Sequence, residues 1–352
     1  MPPTFSRSAP VSEPSLEVVA LQGMGEVVAG DDLAAVLLAC PVDLHDGDVL
    51  VVSSKVVSKA AGLSAPAAER NSVVESQTVR VVAERRTPRG LASVVESAAG
   101  PVMAAAGVDA SNVPAGTVLL LPSDADAVAR ELRARLRELG APLVAVVVTD
   151  TAGRAWRTGQ TDFALGCAGL VVTDDLRGTT DAMGTVLEVT ERALADEVAA
   201  AADLVKGKAS GVPAALVRGL RAFVTEDDGP GARSLLRDPA SDWFRYGHVE
   251  AVRLSLGVPR GAVEPPSVTP ESLQHTTQRA LEVAVVGAPG AFTGAVVEDG
   301  DECTVTVTAP DPYVLGWVVA RLTTALWSED LEGTVTREPG VDVCRVTARA
   351  TR

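Results

Sequence analysis

The chain has 352 residues, and its 46 acidic residues outnumber its 31 lysines and arginines to give a formal net charge of −15. Hydrophobic residues make up 47% of it, which supplies a sizeable core and excludes a wholly disordered protein. The acidic balance argues against a nucleic-acid-binding surface, because phosphate contacts need clustered basic side chains. The apolar runs have strand length, short of the ~20 residues of a membrane helix. We expect about two or three domains in a cytoplasmic protein without nucleic-acid or membrane partners.

The first third of the chain predicts short elements of both types. Residues 1–15 are rich in proline and serine and predict a disordered tail, since they lack the apolar core of a signal peptide. The elements predicted after it are a strand at 16–21, a helix from Asp31 to Ala39, a buried strand at 48–53, a helix over 71–86 and a strand at 117–121.

The segment Ser123–Leu139 predicts the clearest helix in the chain. Ser123 is the candidate N-cap, and Gly140 follows the last helical residue. The spacing predicts a buried stripe of Val128, Leu132, Leu136 and Leu139. It predicts a solvated face that carries Arg130, Arg133 and Arg137.

The remaining elements define the fold class. The apolar run 143–149 predicts a central strand, and 191–205 predicts a second helix. A proline-rich linker is predicted at 251–270. Residues 271–352 predict a small α+β module with a strand around Cys303, a helix that begins at Asp311 and a strand at 341–346. We therefore expect an α/β (mixed α+β) protein with a main domain at 16–250 and a small C-terminal module.

Cysteine and histidine usage restricts the kind of metal site. The four cysteines are scattered, without a C-x-x-C pair, and there are three isolated histidines. Cys40 and Cys167 lie in apolar sequence and predict buried thiols. Any metal site is therefore expected to use oxygen ligands, which favours Mg²⁺ or Mn²⁺.

Two glycine patterns fail as phosphate-binding motifs. After Gly23 and Gly25 the next glycine is Gly30, which is two positions late for a dinucleotide fingerprint. The pair Gly207–Lys208 lacks the earlier glycine of a P-loop, and Ala209 stands where Ser or Thr is required. A bound nucleotide therefore needs another architecture.

The richest polar segment is 150–162, which follows the predicted central strand. It combines Asp150 and Thr151, which suit a hard cation, with Arg154 and Arg157, which suit phosphate or carboxylate groups. Strand ends that lead into polar loops are common sites in sheet proteins. The alternative is a solvated loop with its own ion pairs.

Three further polar segments allow two interpretations each. Asp109 suits a metal and Asn112 a base or sugar, but an Asx-turn explains both. Residues 53–59 carry hydroxyls and two lysines that suit phosphates, but they also fit a polar helix start. Lys206 and Lys208 add positive charge after the second helix with the same ambiguity.

Together these segments resemble the coenzyme F420-0 γ-glutamyl ligase family. The order and spacing of the matching stretches extend over about residues 16–250, and the string from Asp150 to Asp162, DTAGRAWRTGQTD, is long and specific. The other matching stretches are 21–33, 46–59, 104–113, 177–190 and 195–219.

The resemblance implies a family-specific fold with mixed sheets and a homodimer that needs Mg²⁺ or Mn²⁺. The implied reaction is the GTP-dependent ligation of L-glutamate to coenzyme F420-0, followed by γ-linked extension. By motif match, the implied metal ligands are Asp109, Asp150 and Thr151. The implied GTP contacts are Met24, Gly25, Glu26, Val27, Ser54, Lys59 and Asn112. As our own hypothesis, Arg154, Arg157 and Lys208 complete the catalytic set.

The sequence departs from the family pattern at two places. Gly25 stands where many relatives have proline, in a turn expected to contact GTP. Residues 270–352 do not match the flavin-dependent nitroreductase-like domain of many actinobacterial relatives, so we expect no FMN. The same ligase chemistry on a different carboxylate acceptor, and a non-catalytic nucleotide-binding or scaffold protein, remain alternative hypotheses.

Overall fold

The computed structural model describes residues 15–208, 210–337 and 343–351. All but the last residue of the predicted tail, and residues 341–342 of the last predicted strand, lie outside this range. The described residues form two compact units. The first comprises the described parts of Met1–Gln77, Ser97–Met103 and Gly107–Arg237, and the second comprises those of Thr78–Glu96, Ala104–Ala106 and Asp238–Arg352.

Helix and strand have nearly equal shares, 30% and 31%, which confirms the mixed α/β class. In chain order the described strands are β1 (Glu17–Ala20), β2 (Val49–Ser53), β3 (Ser64–Pro66), β4 (Thr78–Thr87), β5 (Gly90–Ser97), β6 (Val102–Ala104), β7 (Thr117–Leu119), β8 (Ala145–Arg154), β9 (Arg157–Ala168), β10 (Asp174–Asp175), β11 (Glu191–Arg192), β12 (Ala214–Arg218), β13 (Thr293–Asp299), β14 (Glu302–Thr308), β15 (Leu331–Arg337) and β16 (Val343–Ala350). The described α-helices are α1 (Leu33–Leu38), α2 (Ser54–Ala60), α3 (Arg70–Ser76), α4 (Ala125–Glu138), α5 (Leu194–Lys206), α6 (His248–Ser255), α7 (Leu273–Val285) and α8 (Pro312–Leu326).

A five-stranded sheet in the order β1-β12-β2-β8-β9 is the centre of the first unit. Within it β2 and β8 run parallel to each other, whereas the other neighbouring strands are antiparallel. Leu50 and Val146 pack into one core cluster with residues of α1 and α4, while Val51 and Val147 pack into another with residues of α5. The prediction of a central strand at 143–149 is confirmed, because both faces of β8 are covered.

Helix α4 confirms the predicted element, but its N-cap is not the predicted Ser123, and one of the three arginines predicted to be solvated is buried. Its N-cap is Asp124, whose carboxylate accepts from the backbone N–H of Ala127 at 2.8 Å. Arg133, predicted to be solvated, is 3% exposed. Its guanidinium donates to several backbone carbonyls, including that of Val144 at 2.8 Å, and pairs with Asp228 at 2.7 Å. A guanidinium with five donors can satisfy buried carbonyls that no helical pattern reveals.

The helix predicted over 71–86 is wrong in its second half. Helix α3 ends at Ser76, and the chain continues as β4, which neighbours β5 in a sheet. Val82 and Glu84 are buried two positions apart, which is the periodicity of a strand. Three β-branched valines in β4 favour this conformation.

The C-terminal part of the second unit has the element order helix, strand, strand, twice over. Helices α7 and α8 pack on an antiparallel sheet in the order β13-β14-β16-β15. Val305 and Val307 of β14 are fully buried, and Asp311 caps α8 by accepting from the N–H of Tyr313 at 2.8 Å, so both predicted elements are confirmed. Residues 251–255 of the predicted linker belong to α6.

The four cysteines are buried and free of disulfide bonds, as predicted for Cys40 and Cys167. Among the described residues, no helix has the combined length and apolarity that crossing a bilayer requires.

Candidate active site

One edge of the five-stranded sheet opens into a cavity of about 530 Å³ in the first unit. Strands β2 and β8 are parallel and in register, so the residues after Ser53 and Thr149 emerge side by side at this edge. The cavity is lined by Gly25, Glu26, Val27, Ser53, Lys55, Val56, Lys59, Asn112, Val113, Pro114, Asp150, Thr151, Asp162, Asp203, Lys206, Gly207, Lys208, Gly211, Val212 and Pro213.

The cavity brings together eight of the residues proposed from the sequence. They come from five segments (the turn at 24–27, the segment 53–59, the polar turn that holds Asn112, the segment 150–162 and the segment after α5), and they are Gly25, Glu26, Val27, Lys59, Asn112, Asp150, Thr151 and Lys208. The polar segment 53–59 forms helix α2, which the side chain of Ser53 caps by accepting from the N–H of Lys55 at 3.4 Å.

Asp150 lies in the cavity with little compensating charge. The buried hydroxyl of Ser54 donates to its Oδ1 at 3.1 Å. Burial raises the pKa of Asp150 to about 6, although hydrogen bonds from the N–H of Thr151 and from Ser54 oppose the shift. A carboxylate in this position favours a neutralising cation, because its ionised form is under-solvated.

Asp109 has a closer basic partner. Its carboxylate lies 2.5 Å from the ammonium of Lys55 and accepts from the N–H and the hydroxyl of Ser111 at 2.8 and 2.9 Å. Burial alone would raise the pKa of Asp109, but the bonds from Lys55 and Ser111 hold it below its usual value. The charge of Lys55 also lowers the pKa of Asp150, so this ammonium is a common neighbour of the two carboxylates among the predicted metal ligands. The Asx-turn considered for Asp109 is present as well.

A buried polar network joins β8, β9 and α5. Lys206 and Asp162 form an ion pair at 2.7 Å, and each side chain is 5% exposed. Lys206 also donates to Thr149 Oγ1 at 2.7 Å, and the hydroxyls of Thr149 and Thr151 donate to the two oxygens of Asp162 at 2.9 and 2.6 Å. The sequence analysis left Lys206 as an ambiguous positive charge and gave Asp162 no role in the site.

The loops around the cavity are tied to one another by side-chain contacts. Lys59 pairs with Glu26 at 2.5 Å, which connects the turn at 24–27 to α2. Asn112, with a φ of +57°, donates from its amide to the carbonyl of Lys208 at 3.3 Å. Met24, by contrast, packs against the hydrophobic core.

Arg154 and Arg157 lie elsewhere. They face each other at the end of the β8–β9 hairpin and are exposed, and neither lines the cavity. Trp156 between them is 79% exposed. Their role in substrate binding stays a prediction.

The lysines carry a signal that the sequence analysis missed. The chain has 27 arginines and four lysines, and all four lysines line this cavity: Lys55, Lys59, Lys206 and Lys208. They equal in number the four carboxylates of the lining, which include Asp203, whose pKa is raised by burial and by the charge of Asp162. A chain of net charge −15 thus has a locally neutral cavity, which can accept phosphate groups together with cations.

Comparison with known proteins identifies the relatives of this unit. Residues 23–219 match the family described as F420-0:Gamma-glutamyl ligase. The chain is 40% identical over 252 residues to the coenzyme F420:L-glutamate ligase of Methanopyrus kandleri, covering 66% of this chain and 98% of that protein. It is 41% identical over 224 residues to that of Natronomonas pharaonis (58% and 86%) and 39% identical over 251 residues to that of Haloarcula marismortui (65% and 96%).

The family match lies almost entirely on the unit that holds the cavity, and the resemblance stated from the sequence motifs is confirmed. This chain belongs to the F420-0:gamma-glutamyl ligase family.

Proposed function

We infer that the protein is a coenzyme F420-0:L-glutamate ligase, a carboxylate–amine ligase that uses GTP. The family and the relatives' names support the ligase and its two substrates. The observation that carries the nucleotide is the convergence of all four lysines on the cavity that holds Asp150. Lysine ammonium groups are compact point charges that suit the oxygens of a polyphosphate.

The chemistry explains why this cavity is rich in charged side chains. A carboxylate is a weak electrophile, so its oxygen first takes the γ-phosphoryl group of GTP, and GDP leaves. The glutamate amine then attacks the acyl carbon, the amide bond forms, and inorganic phosphate leaves with the acyl oxygen. Both steps depend mainly on positioning and on neutralising phosphate charge.

The residues present fit a divalent cation. Asp150 and Thr151 offer a carboxylate and a hydroxyl to the same cavity, and hard oxygen ligands of this kind suit Mg²⁺ or Mn²⁺. Asp109 is the third proposed ligand, next to Lys55. When bound, the cation supplies neutralisation of the phosphate oxygens.

The chain's own side chains bind and orient the substrates in this proposal. Lys59 and Lys208 both line the cavity and bind phosphate oxygens, while Glu26 holds the Lys59 ammonium in place at 2.5 Å. Asn112 and the backbone of Gly25 and Val27 contact the nucleoside. The homodimer expected from the family is part of the proposal, and its test is light scattering of the purified protein.

Purified protein with GTP, Mn²⁺, L-glutamate and F420-0, followed by mass spectrometry, tests the proposal. Addition of glutamyl units with stoichiometric GDP supports it. If GTP is hydrolysed only in the presence of another carboxylate acceptor, that acceptor is the substrate instead of F420-0. If the nucleotide binds without turnover, the protein is non-catalytic.

Lysine chemistry offers an independent test of the nucleotide site. Because all four lysines line the cavity, reductive methylation followed by peptide mass spectrometry reports on this site without background from other lysines. GTP with Mn²⁺ should protect Lys59 and Lys208 from methylation. Equal labelling with and without nucleotide would contradict this placement of the phosphates.

A further inference from the structure

The buried network around Asp162 has an arrangement that ordinary core packing does not require. Asp162 is an acceptor for three donors: Thr151 on Oδ1, and Thr149 and Lys206 on Oδ2, at 2.6 to 2.9 Å. Replacement of a buried ion pair by apolar residues is often neutral or stabilising, so stability alone explains this pair poorly. The pair also lines the cavity and is not in the apolar core.

The hydrogen bonds fix the direction of one hydroxyl proton. A carboxylate accepts and cannot donate when ionised, and a lysine ammonium donates only. The 2.6 Å contact therefore has the Thr151 hydroxyl as its donor and Asp162 Oδ1 as its acceptor. With its proton directed at Asp162, the Thr151 oxygen keeps its lone pairs for a ligand on the cavity side.

We propose that Asp162 and Lys206 are a positioning pair that holds the Thr151 hydroxyl as an acceptor for the divalent cation. Asp162 fixes the hydroxyl proton, and Lys206 supplies the charge that offsets the buried Asp162 carboxylate. The pair acts through Thr151, in the way that hydrogen bonds around metal ligands orient them in metalloproteins. This inference rests on the proposed cation site of the ligase.

Manganese affinity, measured from free Mn²⁺ by electron paramagnetic resonance without nucleotide or acceptor, tests the pair. In Asp162→Asn the side-chain amide can donate to Thr151 and reverse its hydroxyl. We expect Mn²⁺ binding to weaken by about 10- to 100-fold. Thr151→Val should weaken it similarly, and Thr151→Ser should retain it. In the Thr151→Val background, Asp162→Asn should add less than about twofold, because both changes remove one interaction.

Asp196→Asn is the matched control. Asp196 is a partly buried carboxylate of the same unit and also bonds to β9, by accepting from the N–H of Ala164 at 2.9 Å, but it does not line the cavity. Its replacement should leave Mn²⁺ affinity unchanged. If Asp162→Asn does not fold, the double variant Asp162→Asn with Lys206→Met removes both charges and takes its place.

Two results would overturn the inference: Mn²⁺ affinity within twofold of wild type in the Asp162 variant, or full additivity with Thr151→Val. Failure of the proposed function is separate, since it appears as an absence of F420-0 glutamylation by the wild-type protein whether or not Mn²⁺ binds.

Discussion

Two regions of the molecule combine acidic and basic side chains, and they differ in how the carboxylates are neutralised. In the second unit, ligand atoms of Glu264, Glu271 and His275 lie within 4.8 Å of one another, a spacing that could hold a metal ion. Arginines already occupy this cluster: Arg279 pairs with Glu271 at 2.8 Å, and Arg86 also bonds to Glu271. In the cavity of the first unit, Asp150 accepts instead from the Ser54 hydroxyl and the Thr151 N–H, and it forms no salt bridge with any of the residues that the structure describes.

The pKa values of two carboxyl groups express the difference. Hydrogen bonds from Arg279 are the main cause that lowers the pKa of Glu271 to about 2, whereas burial raises that of Asp150 to about 6. The first group is neutralised within the protein, and the second is left for a ligand to neutralise. Clustering of acidic residues is therefore a weaker sign of a cation site than a carboxylate whose charge remains uncompensated beside a cavity.

The largest expected effect is on the stability of the second unit. Arg279 is 2% exposed and lies 2.5 Å from Glu329, whose side chain is 1% exposed. Arg279→Met leaves that carboxylate buried without its main partner and should cost about 3–5 kcal/mol. Urea denaturation measures the loss. Arg349→Met, which removes an exposed pair with Glu302, is the control and should change the free energy of unfolding by less than about 1 kcal/mol.

Removal of the Asp150 charge in the cavity should lower turnover without lowering stability. Asp150→Asn removes the uncompensated charge, and we expect glutamylation to fall by about 100- to 1000-fold. Because burial raises the folded-state pKa from 3.8 to about 6, ionisation of this carboxyl opposes folding increasingly between these pH values and fully above them, so the variant should be at least as stable as wild type at pH 8. An Asp150→Asn variant with lower stability and normal turnover would show that this carboxylate has a structural role and is not needed for the reaction.

Acid titration should separate the two regions further. The folded-state pKa of Glu271 is lowered from 4.5 to about 2, so its stabilisation is complete above pH 4.5 and is lost as the pH falls toward 2. Glu271→Gln should therefore lower the free energy of unfolding at pH 6 by about 1–2 kcal/mol, with the difference from wild type shrinking through this window. A difference that is constant from pH 6 to pH 2.5 would contradict this role.

The sequence predicted the central sheet because local pattern and tertiary environment agree there. The apolar runs of β2 and β8 are buried on both faces, and the polar segments after them do line the cavity. It failed for residues 78–86, where a strand next to β5 replaces a predicted helix. Helical spacing over a short segment is ambiguous when strand partners decide the outcome.

Some contacts of the fold and of the site could not be predicted from local sequence pattern. Arg133 looks like a surface residue of α4 until its carbonyl partners from distant segments are known. Asp162 and Lys206 are 44 positions apart, and only the packing of α5 against β9 pairs them. The four lysines, however, were readable: in a chain with 27 arginines their restriction to two short segments is a compositional signal.

The smallest expected effect concerns Arg154 and Arg157 at the hairpin end. They are direct cross-strand partners with like charges, which destabilises a strand pair, so alanine at either position should leave the melting temperature unchanged or raise it slightly. If either guanidinium contacts a substrate carboxylate or phosphate, turnover should still fall about tenfold, the equivalent of one charge-assisted hydrogen bond of ~1.5 kcal/mol. Steady-state kinetics with varied glutamate and F420-0 would identify the substrate concerned. Normal kinetics in both variants would reject the hypothesis. The cavity lysines and the cation would then neutralise the phosphate charge, because no arginine is among the described residues that line the cavity.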